Sequence, residues 1–313
     1  RFGLAFALSA STALASDMGA VDEPIRLAMN EWTGQNVTTH VAGAMLEEAG
    51  YTVEYVTAGY MNMYQALADG ELHAALEIWS SNVSDDYAKK VEEGTVTEIG
   101  DLGLAATEGL AYPAHVEELC PGLPAWEALK DCAVQFATAE TIPAGRLVDY
   151  PADWGTPGAD RLTGFDLPFK AVPAGSEGAL IAELRASAEK KSPLLITFWQ
   201  PHWALAEYET EWVALPAGSD ECYNDASWGV NPNATGDCDF SPTRIFKVTW
   251  SGMNDTWPVA GEILAQYTMD AGDQQNMMAA IDGRGEDIDD VVAAFVASKA
   301  SDIDSMIAAA KAK

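Results

Sequence analysis

Three of the ten tryptophans in this chain stand where an apolar run gives way to a polar turn, and a fourth sits in a loop. Trp79 closes Ala74-Ala75-Leu76-Glu77-Ile78, Trp199 closes Leu194-Leu195-Ile196-Thr197-Phe198, and Trp32 follows Ile25–Met29 by three residues. Trp154 lies in Ala152-Asp153-Trp154-Gly155-Thr156, which Pro151, Gly155 and Pro157 mark as a loop. Short apolar runs bounded by turn residues read as buried strands. In open α/β sheets ligands bind outside the carboxyl ends of the strands. Aromatic faces delivered there suit a soft, greasy cation. A quaternary ammonium has no N–H to donate, so carboxylates alone recognise it poorly. Ring quadrupoles attract it by ~0.5–2 kcal/mol per ring when desolvated. Three or four rings supply most of a micromolar affinity, about −8 kcal/mol. Trp126, Trp203, Trp212, Trp228, Trp250 and Trp257 lack this placement and read as packing.

The elements that must position these rings alternate strand and helix. Ile25–Met29 reads as a strand. Val37, Val41, Ala44 and Met45 share one helical face, and Gly50 stops that helix. Strands at Thr52–Thr57 and Ala74–Trp79 flank a short helix around Tyr64 and Leu67. This β-α-β-α-β order implies a parallel sheet with right-handed crossovers. The pattern recurs with strands at Ala133–Ala137, Phe169–Val172, Leu194–Trp199 and Trp212–Leu215, and a helix over Ser176–Lys190. A last strand, Ile245–Trp250, precedes helices at Val259–Tyr267, Gln274–Ile281, Ile288–Ser298 and Ile303–Ala310. The expected architecture is α/β in two lobes. Residues 22–109 plus 215–313 form a discontinuous lobe 1 and 110–214 form lobe 2, with hinges near 105–112 and 213–220 and a cleft between.

Composition bounds the partners. With 313 residues, 48% of them hydrophobic, the chain has room for two cores. A net charge of −31 with 17 basic residues argues against nucleic acid, which needs clustered Lys and Arg. Arg1 followed by Phe2–Leu8 and ending Ala13-Leu14-Ala15 has the form of a secretory leader cut after Ala15. No Cys lies near that site, so a free periplasmic protein without lipid anchor is expected. Four cysteines allow three connectivities. The local pairing, Cys120–Cys132 and Cys222–Cys238, is expected, since each interval is loop-like and an oxidising compartment favours it. Asp220, Glu221, Asp225 and Asp237 are oxygen donors fit for calcium, without EF-hand spacing; no other cofactor is expected.

Asn30-Glu31-Trp32, Leu76-Glu77-Ile78-Trp79 and Thr197-Phe198-Trp199-Gln200-Pro201-His202 together resemble the glycine betaine, choline and proline betaine binding proteins of ABC importers. There a W-x-P-H segment follows a buried strand of the second lobe. Gly50-Tyr51-Thr52-Val53-Glu54 looks like that family's G-Y-x-V-E, and the likeness runs over most of 22–310. The resemblance implies a venus-flytrap (type II) periplasmic binding protein, expected as a monomer. It would close an aromatic cage on a trimethylammonium compound (trimethylamine N-oxide, choline or glycine betaine) and serve a membrane permease. Trp32, Trp79 and Trp199 match cage positions. Trp154, with Gly155 and Thr156, resembles the loop that completes the cage and offers backbone amides to a ligand oxygen. Some choline-binding relatives carry an aromatic residue about where this chain has Glu108. A carboxylate there repels the carboxylate of betaine and suits a hydroxyl or an N-oxide.

Two other readings compete. A hydrolase or lyase acting on a choline-type substrate would use His202 and Glu108 as an acid–base pair, but no G-x-S-x-G elbow or free Cys offers a nucleophile. A receptor for another small solute, such as an amino acid, would need Arg146 or Arg161 for the carboxylate.

Overall fold

The structure is a computed structural model that describes residues 17–313; the expected leader over 1–15 lies outside them. Among the described residues eleven strands run in chain order: β1 (Ile25–Met29), β2 (Val53–Thr57), β3 (Ala74–Trp79), β4 (Val96–Ala105), β5 (Thr107–Pro113), β6 (Pro121–Pro124), β7 (Gly145–Asp149), β8 (Phe169–Pro173), β9 (Leu195–Gln200), β10 (Thr210–Trp212) and β11 (Arg244–Trp250). Ten of them build two five-stranded sheets, β2-β1-β3-β11-β4 and β10-β5-β9-β7-β8. In the first, β1 runs parallel to β2 and β3, while β11 is antiparallel to β3 and β4. In the second, β7 runs parallel to β8 and β9, and β5 is antiparallel to β9 and β10. Both sheets are therefore mixed. The strands of residues 25–79 are parallel as expected, and β4 and β11 add antiparallel neighbours where the chain leaves the first sheet and re-enters it.

The chain crosses from one sheet to the other at Ala106 and returns between β10 and β11. Glu108 thus belongs to β5 of the second sheet. The segment after 215 does not go straight back to lobe 1. Its 219–240 portion packs on the helix Pro157–Gly164, through Arg161 to the Asp239 carbonyl (3.1 Å) and Asn231 to the Thr163 carbonyl (3.3 Å). Phe240 joins the core beneath the second sheet.

Ala133–Phe136 is a 3-10 turn, not the expected strand, and Val134 is 59% exposed. The strand that fills this place in the sheet is β7, whose Leu147 and Val148 are buried although Arg146 interrupts the apolar pattern. Both cysteine pairs are bonded, Cys120–Cys132 and Cys222–Cys238. The helix Thr33–Ala49 buries Val37, Val41 and Met45 on the first sheet and ends at Gly50, whose φ of 108° is the left-handed stop that favours glycine. Helices of the tail, including Pro258–Gln266, Ala271–Met278 and Ile288–Ser298, pack on that same helix. Among the described residues no helix is long and apolar enough to cross a membrane.

Candidate functional site

Residues at or just beyond the carboxyl ends of β1, β3, β7 and β9, with Tyr60 from the loop after β2 and Glu108 from β5, build one cavity. Its lining is Trp32, Tyr60, Trp79, Asn82, Glu108, Tyr150, Trp154 and Trp199. The four tryptophans are each no more than 6% exposed. Trp154 from the second lobe meets Trp32 from the first edge-on, with ring centroids 5.4 Å apart. Trp154 meets Trp199 in the same way at 5.6 Å. The lobes are therefore in contact across the cleft, and the aromatic rings join the core of one lobe to that of the other.

Each ring is held by a definite local device. Trp32 is the extended residue just before the helix Thr33–Ala49. Gln35 in the first turn of that helix reaches back to accept the Asn30 N–H (2.9 Å) and donate to the Ala28 carbonyl (2.7 Å), pinning the end of β1. The Trp79 backbone is gripped by Tyr60, whose hydroxyl accepts its N–H (2.9 Å) and donates to its carbonyl (3.1 Å). On the second lobe Asp149 ends β7. It accepts the N–H groups of Gly158 (3.2 Å) and Ala159 (2.9 Å) at the start of the helix Pro157–Gly164. This fixes the short loop that carries Tyr150 and Trp154. A Cβ at Gly158 would lie 2.4 Å from the Asp149 carboxylate and 2.2 Å from the Thr197 hydroxyl, so only glycine allows this approach. Trp199 stands opposite Glu108 in the β5–β9 register.

Glu108 is 5% exposed. Its carboxylate accepts from Tyr150 Oη (3.2 Å) of its own lobe, and from Asn82 Nδ2 (2.8 Å) and Ser81 Oγ across the cleft. Burial raises its pKa above the usual carboxylate range, opposed by these three hydrogen bonds and by the charge of Arg161. Burial likewise holds the Tyr60 and Tyr150 hydroxyls neutral. A second group of polar contacts joins the lobes away from the cavity. Glu177 Oε2 accepts the Thr33 N–H (2.7 Å), and Asp282 accepts from Thr33 Oγ1 (2.7 Å) and Trp203 Nε1 (3.2 Å). Trp203, expected as mere packing, is thus a cross-lobe donor. His202 Nδ1 accepts the Ala204 N–H (3.1 Å), so its other nitrogen carries the proton toward Glu177 (3.1 Å).

The expected site residues divide. Trp32, Trp79, Trp154, Trp199 and Glu108 come together in one cavity. Gly155 and Thr156 do not line it; they face a larger neighbouring cleft together with Arg161 and Asp160, because the chain turns outward at Gly155 (φ 97°). Sequence reading missed Tyr60, Asn82 and Tyr150. The calcium donors do not gather: Asp220 and Glu221 are exposed, and Asp225 is occupied by Ser227. Buried Asp237 accepts the Asn231 N–H. Among the described residues no three His, Cys, Asp or Glu side chains converge for a metal. Arg146 pairs with Glu183 on the flank of the second lobe, away from the cavity.

Residues 23–298 match the family described as the substrate binding domain of ABC-type glycine betaine transport systems (OpuAC). The chain is 31% identical over 188 residues to the trimethylamine N-oxide-binding protein of Pelagibacter ubique (strain HTCC1062). That alignment spans 58% of this chain and 60% of the relative. Among solved structures, an ABC-transporter choline binding protein in complex with choline superposes with a TM-score of 0.73 at 18% identity, covering 93% of each chain. Lactococcal OpuAC in its closed conformation with glycine betaine gives 0.71 at 16% identity, covering 91% of this chain and 100% of that one. At these identities the solved structures establish the two-lobed periplasmic binding protein fold.

Proposed function

Because the chain belongs to the family of substrate-binding domains of ABC-type glycine betaine transport systems, we propose that it captures a small trimethylammonium compound in the aromatic cavity and delivers it to a membrane permease. The observation that carries this reading is the lining itself: four indoles, two phenols, one amide and one carboxylate, with no basic side chain. Cation–π attraction serves the methylated head, and burial of its methyls against the rings adds ~0.8 kcal/mol per carbon. Glu108 serves an oxygen at the other end, provided that oxygen brings or shares a proton. This favours trimethylamine N-oxide or choline over glycine betaine, whose carboxylate would face Glu108 across a dry cavity. The partial likeness to a trimethylamine N-oxide-binding protein points the same way.

Residues from both lobes line the cavity, so ligand stabilises the closed form by contacts that an open form cannot make. The closed form is what a permease would read. We place the protein in the periplasm as a monomer, exported by the leader at 1–15. No bond need be made or broken: His202 is engaged by Glu177 and Ala204, outside the cavity, so it is no acid–base partner for Glu108. Calorimetry with trimethylamine N-oxide, choline, glycine betaine and carnitine tests the proposal. Dissociation constants below about a millimolar are expected for the first two. Failure of all four ends the cage reading, and recovery of a chemically altered ligand would make the protein an enzyme.

A further inference from the structure

Beneath the cage lies a charge that does not line it. Glu77 sits in the middle of β3, 2% exposed, within an otherwise apolar run. One oxygen, Oε1, accepts the indole N–H of Trp32 (2.8 Å) and also that of Trp79 (3.2 Å). The other, Oε2, accepts from Thr38 Oγ1 (3.0 Å) and Gln274 Nε2 (2.8 Å). Three of these four partners are N–H groups, which only donate. The site is built for an acceptor on both oxygens, which is the ionised carboxylate. Among the described residues no basic side chain hydrogen-bonds to it.

We propose that Glu77 is a positioning residue that also sets the cage's preference for charge: it holds two of the four indoles through a single oxygen and supplies a buried negative field at their N–H edges. Its hydrogen bonds fix the Trp32 and Trp79 ring planes before ligand arrives. Its charge polarises both rings through their N–H groups, so their faces toward the cavity are more attractive to a cation than unassisted indoles. In a dry site this field acts at short range with little screening. The cage is then selective for a cation over a neutral molecule of equal shape, beyond what ring quadrupoles give. This inference rests on the cage reading above.

The test compares choline with 3,3-dimethylbutan-1-ol, which replaces its nitrogen by carbon and keeps shape and hydroxyl, so the contribution of Glu108 to the hydroxyl cancels. In Glu77→Gln one oxygen remains for the indoles, and Gln274 can turn its amide to face the new one. The ratio of choline to dimethylbutanol affinity should fall at least tenfold, with the neutral analogue changed less than threefold. Equal weakening of both leaves Glu77 a structural support only and overturns the proposal, as does an unchanged ratio. If neither probe binds wild-type protein, the cage reading fails first and this one with it.

Should Glu77→Gln not fold, the Glu108→Gln protein carries the same question. There Glu77 is the remaining carboxylate at the cage, and burial lifts its pKa. The titratable group coupled to it, Tyr267, is held neutral by burial. The choline to dimethylbutanol ratio should therefore drop as the solution is acidified toward Glu77's protonation. A ratio flat from neutral pH to pH 4 overturns the proposal.

Discussion

Removing Trp199 gives the sharpest account of what one ring contributes. The residue is 4% exposed, stacks on Phe198 with centroids 4.6 Å apart, and meets Trp154 and Tyr150 edge-on at 5.6 and 5.7 Å. The ring lines the cavity, so Trp199→Ala removes a cation–π partner worth ~1 kcal/mol or more in a desolvated site. The methyl that packs on the indole loses a further ~0.8 kcal/mol. Together these weaken binding by about 2 kcal/mol, roughly thirtyfold in Kd. The edge-on neighbours lose their partner with and without ligand, so that cost falls on stability: about 3 kcal/mol for a buried Trp→Ala change. Calorimetry of choline or trimethylamine N-oxide well below the melting temperature separates the two effects. Trp199→Phe restores a flat ring of weaker quadrupole and should recover most of the affinity. An alanine variant that is destabilised yet binds with unchanged Kd would show that Trp199 only packs, and the four-indole account would lose one wall.

Other consequences are independent of that one. Glu108→Gln should strengthen glycine betaine and weaken choline, measured by calorimetry. Because burial raises the Glu108 pKa, choline affinity in wild type should decline as pH falls toward that value and be flatter in the variant. Trp203→Phe removes the cross-lobe bond to Asp282 and should weaken every ligand by a similar factor, severalfold, since it acts on closure and not on the cage. Replacing Cys120 and Cys132 together by Ala should lower stability by ~3 kcal/mol in chemical denaturation, with ligand affinity unchanged. His73 is pushed down to about 4 by burial and by the Arg26 charge. The unfolded chain takes a proton on it near the ordinary histidine value of about 6.5, so its contribution to stability is present above that pH and is lost as pH falls toward 4. In His73→Gln the difference from wild type should shrink over that interval in urea denaturation.

The strand-end tryptophans were legible because burial on a sheet leaves a short apolar run with a visible end, and the polar turn after it names the rim. Glu77 carried a signal too, a charge inside the run Ala-Ala-Leu-Glu-Ile-Trp, since a buried carboxylate must have donors. What those donors were could not be read, because Thr38 and Gln274 come from helices far apart in the chain. β7 was misplaced for a different reason. Arg146 turns to Glu183 on the helix Glu177–Lys190, and Asp149 turns to a helix start, so both charges are satisfied within an element that composition reads as polar. The same error hid Tyr150, which follows β7 directly.

By itself the sequence determined an α/β chain of two sheets and the chemical character of the cage. Residue types and the period of burial are local properties, and they survive any arrangement of the lobes. Tertiary structure decided which polar groups face those rings. Tyr60 arrives from a loop, Asn82 from a turn across the cleft, and Glu108 from a strand of the other sheet. Gly155 and Thr156 are turned away by one backbone angle. Such meetings depend on the sheet order and on the contact between lobes, which are set by packing over the whole chain and leave no mark on any one segment.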